Sequence, residues 1–471
     1  MRPTLALLLL LTLAGPALAA GERTVPASDR TAIGVTIYNH DLALIKDRRA
    51  FELGQGAHTL AFREVSARIR PETVLVRADG LRVHEQNFEY DLLSPQALLR
   101  KYVGREVTLI DRHPTTGEEK ARQVRVLSAG DGVVLQAGDR IETEISGRLV
   151  YPDVPADLRD RPTLTMAVDN ERAGLRQVEV SYLTGGLSWR ADYVAELNGD
   201  DSRLDLNGWV TLTNESGVSY PDAHLQLVAG DVHRVEEGYG VRGVLLGKAV
   251  GAAAVPEMRE ESLFEYHLYT LARPTTIADN QKKQVALLQA DNVACRKEYL
   301  LDGQWGDGRD GSGDDGRRVP VGVWVEMRND QGSGLGQPLP AGIARVYKQD
   351  AGGRLQFIGE DRLAHTPENE VIRLRLGDAF DVTAERRQTE YRRLDTTRDE
   401  PGQSESAWAI TVKNARQEAV TVRVRETLPG DWQILQESAA HKRASAHAAV
   451  WQVPVPARGL AELTYRVRVR P

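Results

Sequence analysis

Cysteine is almost absent: Cys295 is the one thiol in 471 residues. An internal disulfide is therefore excluded, and burial alone must hold the fold, which a chain of this length can provide. Cys295 shares a strand face with Val293 and Tyr299 and reads as a small buried apolar residue rather than a reactive thiol. Aromatic residues are scarce at 6%, too few for the two girdles of an outer-membrane barrel. After residue 20 no apolar run approaches the roughly 20 residues of a membrane helix, so no transmembrane segment is expected once the leader is removed. Neither charge sign dominates. With 60 Lys+Arg against 67 Asp+Glu and a net charge of -7, nothing favours nucleic acid as a partner. Catalytic signatures are missing as well. There is no H-x-H, no H-E-x-x-H and no G-x-S-x-G, so no metal, cofactor or catalytic residue is assigned.

What is present begins with a leader. Arg2 precedes an apolar run from Leu5 to Leu13, then Gly15-Pro16 and Ala17-Leu18-Ala19-Ala20. This is the pattern of a secretory signal peptide, cleaved near Ala20 or Gly21. It places the mature chain in the periplasm or outside the cell. A lone cysteine in an exported chain fits a bacterial periplasm.

The dominant period is two. Val178, Val180 and Tyr182 alternate with Glu179 and Ser181. The same rhythm runs through Leu204 to Leu212, Val321 to Met327, Ile372 to Leu376 and Leu463 to Val469. Such segments are strands buried on one face, hence antiparallel sheets. Turn signals separate them at Asn198-Gly199-Asp200, Asn214-Glu215-Ser216-Gly217 and Ala351-Gly352-Gly353. The expected fold is all-β, a multi-module set of antiparallel β-sandwiches with few short helices. One helix stands out. Ser94 caps it, Pro95 opens it, Leu98, Leu99, Tyr102 and Val103 give its apolar stripe, and Gly104 closes it. Residues 280–288 fit a short helix or a strand equally well. The expected boundaries are a signal at 1–20, an N-terminal β domain with one short helix at 21–160, a central sandwich domain at 161–395 and C-terminal sandwich strands at 396–471. Within the central domain, loops 236–261 and 302–318 read as mobile. No repeat of fixed period appears.

Candidate sites are few. Gly238-Tyr239-Gly240-Val241-Arg242-Gly243 matches G-x-G-x-x-G without the strand and helix that a dinucleotide needs around it, and reads as loop. Asp307, Asp310, Asp314 and Asp315 crowd a glycine-rich segment that lacks the ordered spacing of a calcium loop. Arg423, Arg425, Arg466, Arg468 and Arg470 alternate along strands, as a cationic face or as a solvated outer surface. Trp189, Tyr193, Trp209 and Trp324 fall on strands and are the candidate ligand-binding residues; Trp209 and Trp324 are out of phase with their apolar neighbours. Val244-Leu245-Leu246 forms an apolar knot inside loop 236–261, read as a partner-docking element.

Several phrases occur together. They are Gly186-Leu187-Ser188-Trp189-Arg190-Ala191-Asp192-Tyr193, Asn214-Glu215-Ser216-Gly217, Leu225-Gln226-Leu227-Val228-Ala229-Gly230, Phe264-Glu265-Tyr266-His267, Lys283-Gln284-Val285, Gly336-Gln337-Pro338-Leu339-Pro340-Ala341-Gly342 and Gly359-Glu360-Asp361. In combination they resemble a bacterial exported family catalogued as a domain of unknown function, related to mucoidy-inhibitor-like proteins, over residues 170–471. The resemblance implies an exported β-rich protein with no established catalytic activity. Mucoidy-type members carry an N-terminal coiled coil, and no heptad run occurs between Gly21 and Leu175 here. The leading functional expectation is a non-enzymatic binding or scaffold protein of the bacterial cell envelope, whose partner is an envelope protein or polysaccharide. An envelope polysaccharide hydrolase using a carboxylate pair, and a secreted adhesin or surface-assembly subunit, are the alternatives.

Overall fold

The computed structural model describes residues 21–470 except 114, 131, 146, 156–157, 231–257, 305–316 and 395–402. The leader, the Gly238–Gly243 segment, the docking residues Val244, Leu245 and Leu246, and the aspartates at 307–315 lie outside the described residues. Among those described are 32 strands, one α-helix and three 3-10 turns, an all-β architecture with few short helices.

Local chemistry accounts for the elements. The helix spans Pro95–Lys101. Ser94 accepts a hydrogen bond from the Ala97 amide at 3.1 Å, and Gly104 beyond the last turn has φ 84°. The alternating segments bury the apolar face their pattern marks, with Val178, Val180, Leu204, Val210, Val325, Leu374, Leu463 and Val467 all essentially inaccessible. Asn280 is in a turn and residues 281–288 are strand. They belong to a 24-residue strand, Gln281–Gln304, where pairing with the Arg203–Asn214 strand overrides a neutral local preference.

Two compact units are present, and neither is continuous in sequence. The first comprises Met1–Ser188, Thr213–Gln226 and Pro274–Gln281. In it, Glu22–Val25, Gly56–Arg63, Thr163–Asn170 and Leu81–Glu89 form one sheet in that order. Arg30–Tyr38, Leu42–Leu53, Gly174–Thr184 and Leu75–Arg77 are consecutive neighbours in another. A separate five-stranded module is inserted between the paired strands Leu81–Glu89 and Thr163–Asn170. It carries the helix and its own core of Leu99, Tyr102, Val107, Leu109, Val126 and Leu135.

The second unit comprises Trp189–Leu212, Leu227–Arg273 and Lys282–Pro471. Its long strand Gln281–Gln304 is the spine. Cys295–Leu300 pairs antiparallel with Gly322–Arg328, and Tyr299–Gln304 pairs parallel with Val420–Thr427. Glu22–Val25 with Gly56–Arg63 and Leu187–Leu197 with Gly342–Gln349 also pair parallel, so the predominantly antiparallel sheets have parallel exceptions. The C-terminal sandwich has one apolar core that includes Leu301, Trp408, Ile410, Val424, Trp451 and Val467. It takes strands from both sides of residue 396.

Asparagines at strand ends tie loops to the sheets. Asn214 donates to the carbonyls of Val218, Ile277 and Ala278 at 2.9, 3.3 and 3.0 Å and accepts from the Ser216 amide at 3.0 Å. Asn414 does the same in the second unit. It donates to Glu418 and Pro456 carbonyls at 2.8 and 3.0 Å and accepts from the Arg416 amide at 3.0 Å. Asn329 donates to the Gln337 and Pro367 carbonyls and accepts from the Gly336 amide. All three side chains are buried. The sequence marks Asn214 as a turn former; its larger role is to satisfy backbone carbonyls that burial would otherwise orphan.

The alternating arginines are balanced by acids. Arg425 pairs with Asp302, its register partner across the parallel ladder, and Arg468 with Glu405, its partner across an antiparallel one. Arg423 bonds Glu298 and Arg466 bonds Glu390. These strands present ion-pair ladders in place of a bare cationic face.

Candidate functional site

The second unit carries a cavity of about 410 Å³ that is widely open to solvent. Its floor is the middle of the spine strand, where Lys297 and Tyr299 alternate on one face, with Val323 and Val325 from the adjacent Gly322–Arg328 strand. Lys348 and Ile358 come from the Gly342–Gln349 and Leu355–Leu363 strands. The mouth is made by two turns. One runs from Asp378 to Asp381 between the Val371–Asp378 and Val382–Arg393 strands; the other carries Arg416 after Asn414. Asn414 fixes that second turn through the Arg416 amide, so a buried clamp sets the backbone from which this guanidinium projects.

Asp201 is the charged centre. It sits in the turn after Leu187–Leu197 with φ 62°, a left-handed conformation that Asp tolerates better than most residues. Lys297 Nζ donates to its Oδ2 at 2.6 Å, and Lys348 Nζ donates to its Oδ1 and to the Gly199 carbonyl, the latter at 2.9 Å. Burial raises the Asp201 carboxyl, but the two ammonium bonds outweigh burial and hold it below its ordinary value. Asp201 is therefore a fixed anion at neutral pH. A carboxyl depressed on folding stabilises above its unfolded value and loses that contribution as pH falls through the folded one, so this cluster weakens only in acid.

Cys295 lies beside this centre, half-buried, with Sγ 3.9 Å from the Asp201 carbonyl oxygen. Burial first, and then the charges of Asp201 and Asp200, push its thiol up to about 11. At pH 8 the thiolate population is then about 100-fold below that of a thiol at 9.0. Alkylation by iodoacetamide should be at least that much slower in the folded protein than in urea. Equal rates would show that Cys295 is neither shielded nor raised.

The aromatic candidates sit elsewhere. Trp189 is in the core, its Nε1 donating to the Val228 carbonyl at 3.3 Å and its ring edge-on to Tyr269 at 6.5 Å. Tyr193 is fully buried, and its hydroxyl donates to the Pro340 carbonyl at 2.7 Å. Trp209 is 40% exposed on the Arg203–Asn214 strand. Trp324 is half-buried on the strand between Val323 and Val325. None of the four lines the cavity. The residues that do were not legible as a set. Phe380 carried the one local signal, a large aromatic in a short Asp-flanked turn, and it is 94% exposed.

A family model described as Domain of unknown function (DUF4139) matches residues 178–470. The chain belongs to this family. No curated protein matches it. The DUF4139 region holds the whole cavity, from Leu197 to Arg416, whereas the inserted five-stranded module falls outside it.

Proposed function

We propose that this DUF4139 protein is a non-enzymatic binding protein of the bacterial cell envelope, and that the cavity of its second unit holds the ligand. The observation that carries this reading is the commitment of Asp201. The cavity's half-buried acid is kept ionised by two lysines, so it serves as a fixed charge and not as a proton donor near neutrality. Around it the walls are sheet strands, which hold apolar and cationic side chains in preset positions. Export rests on the leader pattern of residues 1–20, and N-terminal sequencing of the mature chain should read from near Ala20 or Gly21. An intact Met1 would remove the envelope from the proposal.

The cavity is tested by a comparison of two immobilised proteins, the mature chain and its Phe380→Ala/Arg416→Glu variant. Both side chains project at the mouth, so their replacement should leave the melting temperature within a few degrees. The expected result is a component of envelope extracts retained by the first and lost by the second. Equal retention would place binding elsewhere. Release of new reducing ends from envelope polysaccharide, abolished by Asp381→Asn, would replace the reading with a hydrolase.

A further inference from the structure

The polar floor of the cavity carries more cation than anion. Each lysine ammonium has three N–H donors. Among the described residues Lys297 uses one on Asp201, and Lys348 uses two, on Asp201 and the Gly199 carbonyl. Three donors of the pair are therefore left over, on side chains that line the cavity. Asp201 supplies one negative charge against two positive ones. No carboxylate among the described residues pairs with the Arg416 guanidinium. Asp378, also at the mouth, is taken by Arg375 at 2.7 Å. Lys297, Lys348 and Arg416 then face Asp201 and Asp381, and one positive charge is uncompensated.

The rest of the lining is apolar. The Tyr299 ring lies 5.6 Å from Lys297 Nζ, Val323 and Val325 continue that floor, and Phe380 stands in water at the entrance. A large apolar side chain left almost wholly exposed beside a cavity gains from any apolar body laid against it. The volume falls within the roughly 300–1,000 Å³ of small-molecule sites. A neutral sugar would use the spare donors but leave the charge unmatched. A cation would meet two ammonium groups.

We propose that the cavity binds an amphiphilic anion. One carboxylate, phosphate or sulfonate group rests on the ammonium groups of Lys297 and Lys348, and an apolar body lies along Tyr299, Val323 and Phe380. This rests on the reading of the cavity as the ligand site and adds the chemical class of the ligand.

The test is a fluorescence titration of the full mature chain with two probes. 8-Anilinonaphthalene-1-sulfonate carries the anion; N-phenyl-1-naphthylamine has the same rings without it. The sulfonate should saturate one site and bind more tightly than the amine. Lys348→Gln should weaken the sulfonate about 10- to 100-fold, as expected for a lost charge-assisted hydrogen bond, and change the amine less than twofold. Phe380→Ala should weaken both probes. Asp201→Asn removes the resident anion and should tighten the sulfonate, a gain that a damaged fold would not give. The proposal is overturned if the amine binds as tightly as the sulfonate. It is equally overturned if Asp201→Asn and Lys348→Gln both leave sulfonate binding unchanged. If charge selectivity fails while the Phe380→Ala/Arg416→Glu variant still loses its envelope component, the ligand class is wrong and the binding reading stands. If both fail, the cavity is not the site.

Discussion

Glu426→Gln should lower the unfolding free energy by about 3–5 kcal/mol, whereas the double replacement Arg386→Met/Glu426→Leu should cost far less. Glu426 and Arg386 are buried inside the C-terminal sandwich and bond in parallel, Nε to Oε1 at 3.0 Å and Nη2 to Oε2 at 2.9 Å. The guanidinium also lies 3.5 Å from the centroid of the Trp408 ring. Glutamine preserves the shape but strands a full positive charge in the core, and an indole face does not replace a carboxylate. Removing both charges leaves no unpaired ion in the core; the buried Tyr465 hydroxyl beside the pair loses its charged neighbours, which is the residual cost of the double variant. Burial disfavours the Glu426 charge and Arg386 favours it, so each ion is tolerated in the core only while its partner is present. Urea unfolding followed by tryptophan fluorescence measures both variants. A single variant costing under about 1 kcal/mol, or a double variant worse than the single, would refute this account.

Asn214→Ala is expected to cost about 2–4 kcal/mol, with Asn414→Ala close behind. Each removes a buried side chain whose amide serves two or three backbone carbonyls at once, and alanine leaves those carbonyls without partners. Asn214→Asp should be no milder, because its oxygens would face the same carbonyls. Chemical denaturation should show the loss. An effect of a few tenths of a kcal/mol would mean that the residue only shapes its turn. Asn414→Ala carries a second readout, because it frees the turn of Arg416. Ligand retention at the cavity mouth should weaken in native conditions well below the denaturation midpoint.

The contrast between these two devices and the strand pattern shows what the sequence makes visible. Alternation is local, so Val178 to Tyr182 and Leu463 to Val469 announce their buried faces directly. Trp189 and Tyr193 could be read the same way, since Leu187, Trp189, Ala191 and Tyr193 share one parity on their strand and all are buried. Trp209 breaks parity and is exposed. Ser94 and Gly104 act within one helical turn and were equally plain. The cavity is different in kind. Asp201, Lys297 and Lys348 are brought together by strand order, and neither their spacing nor their identity records it. The same holds for Arg386 and Glu426. Arginine alternation was visible, but the acids paired with Arg423, Arg425, Arg466 and Arg468 lie on strands far away in the chain, so the pattern alone did not show the ladder.

The spine strand has a kinetic consequence. Its C-terminal end, Tyr299–Gln304, lies alongside Val420–Thr427, with Tyr299 opposite Val422 and Leu301 opposite Val424. That pairing closes a loop of more than a hundred residues before it returns any contact energy, and such wiring slows folding. During synthesis the ribosome releases Lys297 and Tyr299 long before Val422 exists. The strand that floors the cavity thus waits, one edge unpaired, for the far end of the chain. Truncations that stop short of residue 420 should accumulate as aggregates through that open edge rather than as smaller folded proteins.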